Sequence, residues 1–128
     1  GRYFDGWFPS GPGNGKHWSK GWAAVKQYAE AAERDPSTIT AAAYVTIAVN
    51  ENQEKANTEL DEYLSKYYLR PAEVVREEQY SFSGTRRATV DWLSEFVAGG
   101  ASHICIRFTG SEDERQMEEL LRIQEDLN

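Results

Sequence analysis

Glycines run up to a lysine in Gly11-Pro-Gly-Asn-Gly-Lys16, a pattern that raises phosphate binding. A Walker A loop wraps phosphates in backbone N–H groups and holds magnesium with a hydroxyl. It therefore needs a glycine five residues before the Gly-Lys pair and a Ser or Thr after it. Here Ser10 stands five residues before Gly15, and His17 follows Lys16. The dinucleotide fingerprint G-x-G-x-x-G fails too, because Gly11-x-Gly13 leads to Lys16 and Gly13-x-Gly15 to Trp18. The stretch reads as a flexible connection into a helix. A looser anion-binding role is left to the unsatisfied N–H groups of that helix's first turn.

Arg107 is the next residue able to do chemistry, because it lies inside the apolar run His103-Ile-Cys-Ile-Arg-Phe108. A guanidinium there is costly unless it is paired, either with a bound anion or with a neighbouring Asp or Glu. Cys105, between two isoleucines, is expected to behave as a small core residue, buried and unreactive. His17 and His103 are isolated, and nothing in the chain has the Cys/His/Asp spacing of a metal site.

The elements that must position these residues alternate in type. Tyr3–Pro9 reads as a short aromatic strand, and Trp18, Trp22, Val25, Ala29 and Ala32 recur at helical spacing up to Asp35-Pro36. Ile39–Val49 carries no charge and is rich in β-branched and small residues, as a strand covered on both faces should be. Asn50 with Gln53 resembles a capping box for a helix striped by Ala56, Leu60, Tyr63, Leu64 and Tyr67. On spacing alone, Trp18, Trp22, Tyr63 and Tyr67 read as core packing. Pro71 opens a short helix to about Glu78, and Tyr80–Gly84 reads as irregular chain. A helix from Thr85 stops at Gly99-Gly100, and His103–Phe108 is a further apolar strand. Ser111 with Glu114 caps a last helix whose inner face is Met117, Leu120, Leu121 and Leu127. No hairpin signal occurs, so the expected fold is α/β, with three parallel strands near residues 4–9, 40–49 and 103–108 joined by crossovers.

The 128 residues suffice for one domain. A net charge of −7 argues against nucleic acid or an anionic membrane as partner and favours a small molecule or another protein. A single cysteine excludes an intrachain disulfide and makes the cytoplasm the expected compartment. Three parallel strands would leave unpaired edges, which points to a homo-oligomer.

Several motifs in order carry a resemblance. Asp5-Gly-Trp-Phe-Pro9, Trp22-x-x-Val25, Ala31-Ala-Glu-Arg-Asp-Pro-Ser-Thr-Ile39, Lys66-Tyr-Tyr68, Gly84 before a helix and Gly100-Ala-Ser-His-Ile-Cys-Ile-Arg107 together resemble the C-terminal part of the luciferase-like flavin monooxygenases and their coenzyme F420-dependent relatives. Glu33 stands where that family usually has glycine, and Thr85-Arg-Arg replaces its usual Gly-x-Pro-Glu turn. The resemblance implies a partial (β/α)8 TIM barrel, residues 1–128 being a C-terminal fragment with barrel strands six, seven and eight. It also implies an oxidoreductase or monooxygenase using FMN or F420 on a small-molecule substrate, with the fragment inactive by itself. The alternative is a non-catalytic half-barrel that binds a ligand or dimerises. Residues at the matching strand ends are Trp7, Phe8, Ser10, Thr46, Asn50, Arg107 and Thr109. Of these, Trp7, Ser10, Arg107 and Thr109 are the implied cofactor contacts.

Overall fold

The computed structural model describes residues 6–9, 13–109 and 113–127. In chain order the elements are β1 (Gly6–Trp7), α1 (Gly15–Ala31), a 3-10 turn (Pro36–Thr38), β2 (Thr40–Val49), α2 (Gln53–Tyr68), α3 (Ala72–Glu78), β3 (Ser81–Gly84), α4 (Arg86–Ala98), β4 (His103–Phe108) and α5 (Asp113–Leu127).

β2 is the centre of a parallel sheet. β4 pairs with its residues 42–47, β1 with 40–41 and β3 with 46–49. Backbone groups of a strand point alternately to its two edges. Tyr44 N–H donates to Pro9 and Thr46 N–H to Tyr80, whereas Ala41 and Ile47 accept from Ser102 and Thr109. β1 and β3 thus share one edge of β2, and β4 has the other. The long strands fall on the expected residues, and among the described residues every strand pairing is parallel. The Ser81–Gly84 strand is a correction to the expected irregular chain. Those four residues have no strand pattern of their own. They pair because β1 covers only the start of that edge of β2 and leaves its upper half to be satisfied.

Alternation along β2 sorts the helices into two layers. Ala41, Ala43, Val45, Ile47 and Val49 pack on Trp18 and Trp22 of α1, Leu93 and Phe96 of α4 and Ile123 of α5. Ala48, of opposite parity, packs on Leu60, Leu64 and Val75. α2 and α3 therefore stand over the other sheet face, at its C-terminal end. Trp18 donates its indole N–H to the Ala42 carbonyl at 3.1 Å, which fixes α1 to the sheet.

Two details of helix chemistry differ from expectation. The cap of α2 is Asn52, whose side chain accepts from Lys55 N–H, while Asn50 makes an Asx turn to Asn52 N–H. Ser111 and the side chain of Glu114 lie outside what is described, so the last expected cap does too. On α5, Met117 and Leu121 are 59% and 57% exposed, and the inward residue is Ile123, fully buried. The stripe runs Leu120, Ile123, Leu127, one helical face with Met117 and Leu121 beside it. Among the described residues, no helix is long and apolar enough to cross a membrane.

Candidate functional site

Register places Arg107 opposite Thr46, near the C-terminal ends of β4 and β2. Its neighbours Ile104, Ile106 and Phe108 join the helix-facing core. By alternation Arg107 projects to the opposite face, where α2 ends. Its guanidinium carbon lies 5.2 Å from the Tyr44 ring centroid and 4.8 Å from that of Tyr67, distances at which a cation is held by the ring quadrupole. The Tyr67 phenol foremost, and then that of Tyr63, raise its pKa above the ordinary arginine value, against an opposing effect of burial. Burial pushes the Tyr44 and Tyr68 phenols up, and Arg107 pulls both partly back. Tyr63 and Tyr67 stack at 5.5 Å and 9°, one helical turn apart, so the two rings act as a single wall.

The carboxylate half of the expectation for Arg107 is corrected. Ion pairs among the described residues join Arg70 to Glu78, Arg76 to Asp61 and Arg86 to Glu119, and Arg107 is in none of them. Phenols clasp it instead. Their rings lie against the guanidinium without cancelling its charge.

Cys105 is a second correction. It is exposed, because it faces Tyr44 across the strands on the side that α1, α4 and α5 do not cover. α2 and α3 reach only the upper end of that side. Phe8, also exposed, meets the Tyr44 ring edge-on at 5.8 Å. His103 is exposed at the lower end of the same strip, with its ring nitrogen 3.1 Å from the Ser102 hydroxyl.

Thr109 donates its N–H to Ile47, but its hydroxyl oxygen is buried with no hydrogen-bond partner. It borders a cavity of about 10 Å³ between strand ends and helices, lined by Val49, Glu59, Phe108, Arg115 and Glu119 among others. That is room for about one water, which would supply the missing partner.

The other expected residues scatter. Trp7 stacks on Trp22 at 5.8 Å and leans on Trp18 at 5.1 Å, which commits it to the α1 side of the sheet, away from Arg107. Ser10 lies outside the described residues. Thr46 is buried beneath α2, and Asn50 is used in the turn into that helix. His17 contacts the Tyr80 hydroxyl at 3.2 Å, at the start of α1, rather than any group of the Arg107 face. Among the described residues, no cluster of His, Cys, Asp or Glu could hold a metal ion.

Tyr44, Tyr63 and Tyr67 are what sequence reasoning missed. Their helical or strand spacing predicts core packing, yet Tyr67 is exposed and Tyr63 and Tyr44 are only part-buried. The one usable signal was a pair of tyrosines four residues apart in a chain with one arginine inside an apolar strand.

No family model and no curated protein sequence matches the chain. Its fold is nevertheless found in solved structures. An F420-dependent secondary alcohol dehydrogenase, in complex with an F420-acetone adduct, superposes with a TM-score of 0.71 at 12% identity, over 91% of this chain and 41% of that one. Riboflavin lyase, with modified FMN and riboflavin, gives 0.69 at 12% identity over 95% and 38%. A long-chain alkane monooxygenase gives 0.64 at 13% identity over 94% and 36%. The chain thus spans about two fifths of the length of these proteins. Its parallel sheet with flanking helices has the fold of a part of these proteins, the partial (β/α)8 barrel that the sequence resemblance implies.

Proposed function

We propose that this chain is the C-terminal portion of a luciferase-like oxidoreductase or monooxygenase that uses a flavin or F420, and that it is catalytically inactive without the rest of a barrel. The observation that carries the reading is Arg107. An arginine held against the Tyr44 and Tyr67 rings, in no ion pair among the described residues, sits near the C-terminal ends of parallel strands, the end at which barrels of this kind bind their ligands. The choice of cofactor class is supported by the proteins of similar fold, since the alcohol dehydrogenase is F420-dependent and riboflavin lyase holds a modified FMN.

The residues present suit such a group. A reduced flavin or deazaflavin supplies hydride transfer or oxygen activation when bound. Arg107 orients the ring system by its charged edge, and Tyr44, Tyr63 and Tyr67 present aromatic surface and exclude water. Thr109, just past β4, is also implied as a contact by the resemblance, its hydroxyl opening on the one-water cavity. Ser10, which follows β1 in the chain, is the further contact the resemblance implies, while Trp7 holds β1 against α1 from behind. Titration of the chain into riboflavin, followed by fluorescence quenching, tests the reading. Saturable quenching that Arg107→Met weakens supports it, and riboflavin fluorescence unchanged at high micromolar protein refutes it for this chain.

A second reading has its own observation. A groove of about 300 Å³ beside the outer edge of β4 is lined by Val97, Ala101, Ile104, Ile106, Ile123 and Leu127 among others. A half-barrel that dimerises would cover it with a second copy. Burying about 600 Å² of apolar surface across a whole dimer interface, of which this groove would be a part, gives at roughly 25 cal/mol/Å² on the order of 15 kcal/mol before association costs. Sedimentation at micromolar concentration decides: a dimer supports this reading, and a 14.5 kDa monomer removes it.

A further inference from the structure

The cluster around Arg107 has a feature that cofactor binding in general does not require. The chain has 21 acidic residues against 14 lysines and arginines, yet the neighbours of this guanidinium are tyrosines. A structural arginine in a partly covered site is ordinarily neutralised by a carboxylate. Here its charge is kept and its direction fixed. The main chain is locked by pairing with β2, and the rings of Tyr44 and Tyr67 hold the guanidinium carbon at 5.2 and 4.8 Å. A guanidinium has five N–H donors in a planar fork. The Tyr44 and Tyr67 rings lie against the guanidinium carbon, and the N–H donors of the fork match the two acceptors of a planar anion. The surrounding aromatic surface, Tyr63 stacked on Tyr67 and Phe8 against Tyr44, favours an anion carried on a ring.

We propose that Arg107, with Tyr44, Tyr63 and Tyr67, forms a receptor for the anionic edge of a planar aromatic ligand. This rests on the reading that the Arg107 face is a ligand-binding face, and it adds which charge and shape that face selects. Two ligand sources share the chemistry: an aromatic carboxylate, or a cofactor ring that becomes anionic when reduced. Arg107 holds such an anion in place and undergoes no covalent change.

The test compares 2-naphthoate with its neutral isostere 2-naphthamide by fluorescence titration, and oxidised with dithionite-reduced riboflavin by equilibrium dialysis under anaerobic conditions. The wild-type chain, Arg107→Met and Arg107→Lys are compared, each with its folded state checked by far-UV circular dichroism. One charge-assisted hydrogen bond corresponds to a preference of about tenfold. We expect the wild type to favour the anionic member of at least one pair by that factor, Arg107→Met to lose the preference, and Arg107→Lys to retain part of it. Preference for naphthoate assigns the anion to a substrate-type carboxylate, and preference for reduced riboflavin assigns it to the cofactor ring. Equal binding of both members of both pairs by the wild type overturns the receptor, as does an undiminished preference in folded Arg107→Met. If riboflavin binds in both redox states alike and naphthoate shows no preference, the receptor fails while the cofactor reading stands. If naphthoate is preferred and riboflavin is not bound, the receptor stands and the cofactor reading falls.

Discussion

Replacing Glu33 by glycine should stabilise the chain, and the reason lies in how α1 ends. Glu33 adopts φ 58°, in the left-handed region. Arg34 N–H reaches back to the Ala29 carbonyl at 2.8 Å and Glu33 N–H to Glu30 at 3.0 Å. With Ala32 as the cap residue, these are the two bonds of a Schellman motif, whose left-handed position is ordinarily glycine. A side chain there costs about 1–2 kcal/mol, and glycine returns roughly 0.5–1 kcal/mol of that as unfolded-state entropy. Relief of strain should therefore be worth about 0.5–1 kcal/mol. A second contribution must be separated from it, because a carboxylate at a helix C-terminus opposes the macrodipole by about 0.3–1 kcal/mol at low salt. Glu33→Ala removes the charge and keeps the strain, so the difference between the Gly and Ala variants isolates the backbone. Thermal and urea unfolding by circular dichroism should place Glu33→Gly above Glu33→Ala by about 2–5 °C in Tm. A glycine variant no more stable than the alanine variant would refute the strained ending.

Gly15 sits where α1 meets α4, and a Cβ built on it collides with Glu95 Cβ and lies 2.7 Å from the Glu95 carbonyl carbon and 2.8 Å from Phe96 N. Gly15→Ala should cost about 1–3 kcal/mol, read as a lower urea midpoint, because backbone cannot step aside as a side chain can. Cys105 should react with a thiol reagent in the native protein as a free accessible thiol does, and strong protection would contradict its exposure on the open face. The Arg86 hydrogen bond, foremost, holds the Glu119 carboxyl below its ordinary range against an opposing effect of burial. A depressed carboxyl pKa contributes stability that is full above the unfolded-state value and is lost as the pH falls through the folded one. Glu119→Gln should therefore flatten the decline in stability below about pH 4.5, and an unchanged acid limb in urea titrations would count against the pair.

Legibility in the sequence followed the periodicities that a single element can carry. The uncharged run at Ile39–Val49 and the apolar run at His103–Phe108 announced the two long strands to within a residue, and Gly99-Gly100 announced the end of α4, where Gly100 takes φ 108°. Ser81–Gly84 was not legible because what makes it a strand is an unpaired length of β2, more than 30 residues away in sequence. The burial of Cys105 was misjudged for a related reason. An apolar run tells that a strand has neighbours on one face, not how far up the other face a covering helix extends.

The Arg107 site shows the same limit with a functional consequence. Its arginine was visible as an exception inside an apolar strand, and its partners reduced to an anion or an acid. What no local pattern could supply was a third class of partner, neutral phenols contributed by β2 and by the last turns of α2. Tyrosine rings meet, through their quadrupoles, part of the requirement that makes a half-buried guanidinium costly, and they leave the charge uncancelled. A carboxylate would meet the same requirement and erase the field. The substitution of phenol for acid is thus the difference between an arginine that closes a structure and one that remains available to a ligand. In a chain of net charge −7 that choice leaves Arg107 as a positive charge on this sheet face.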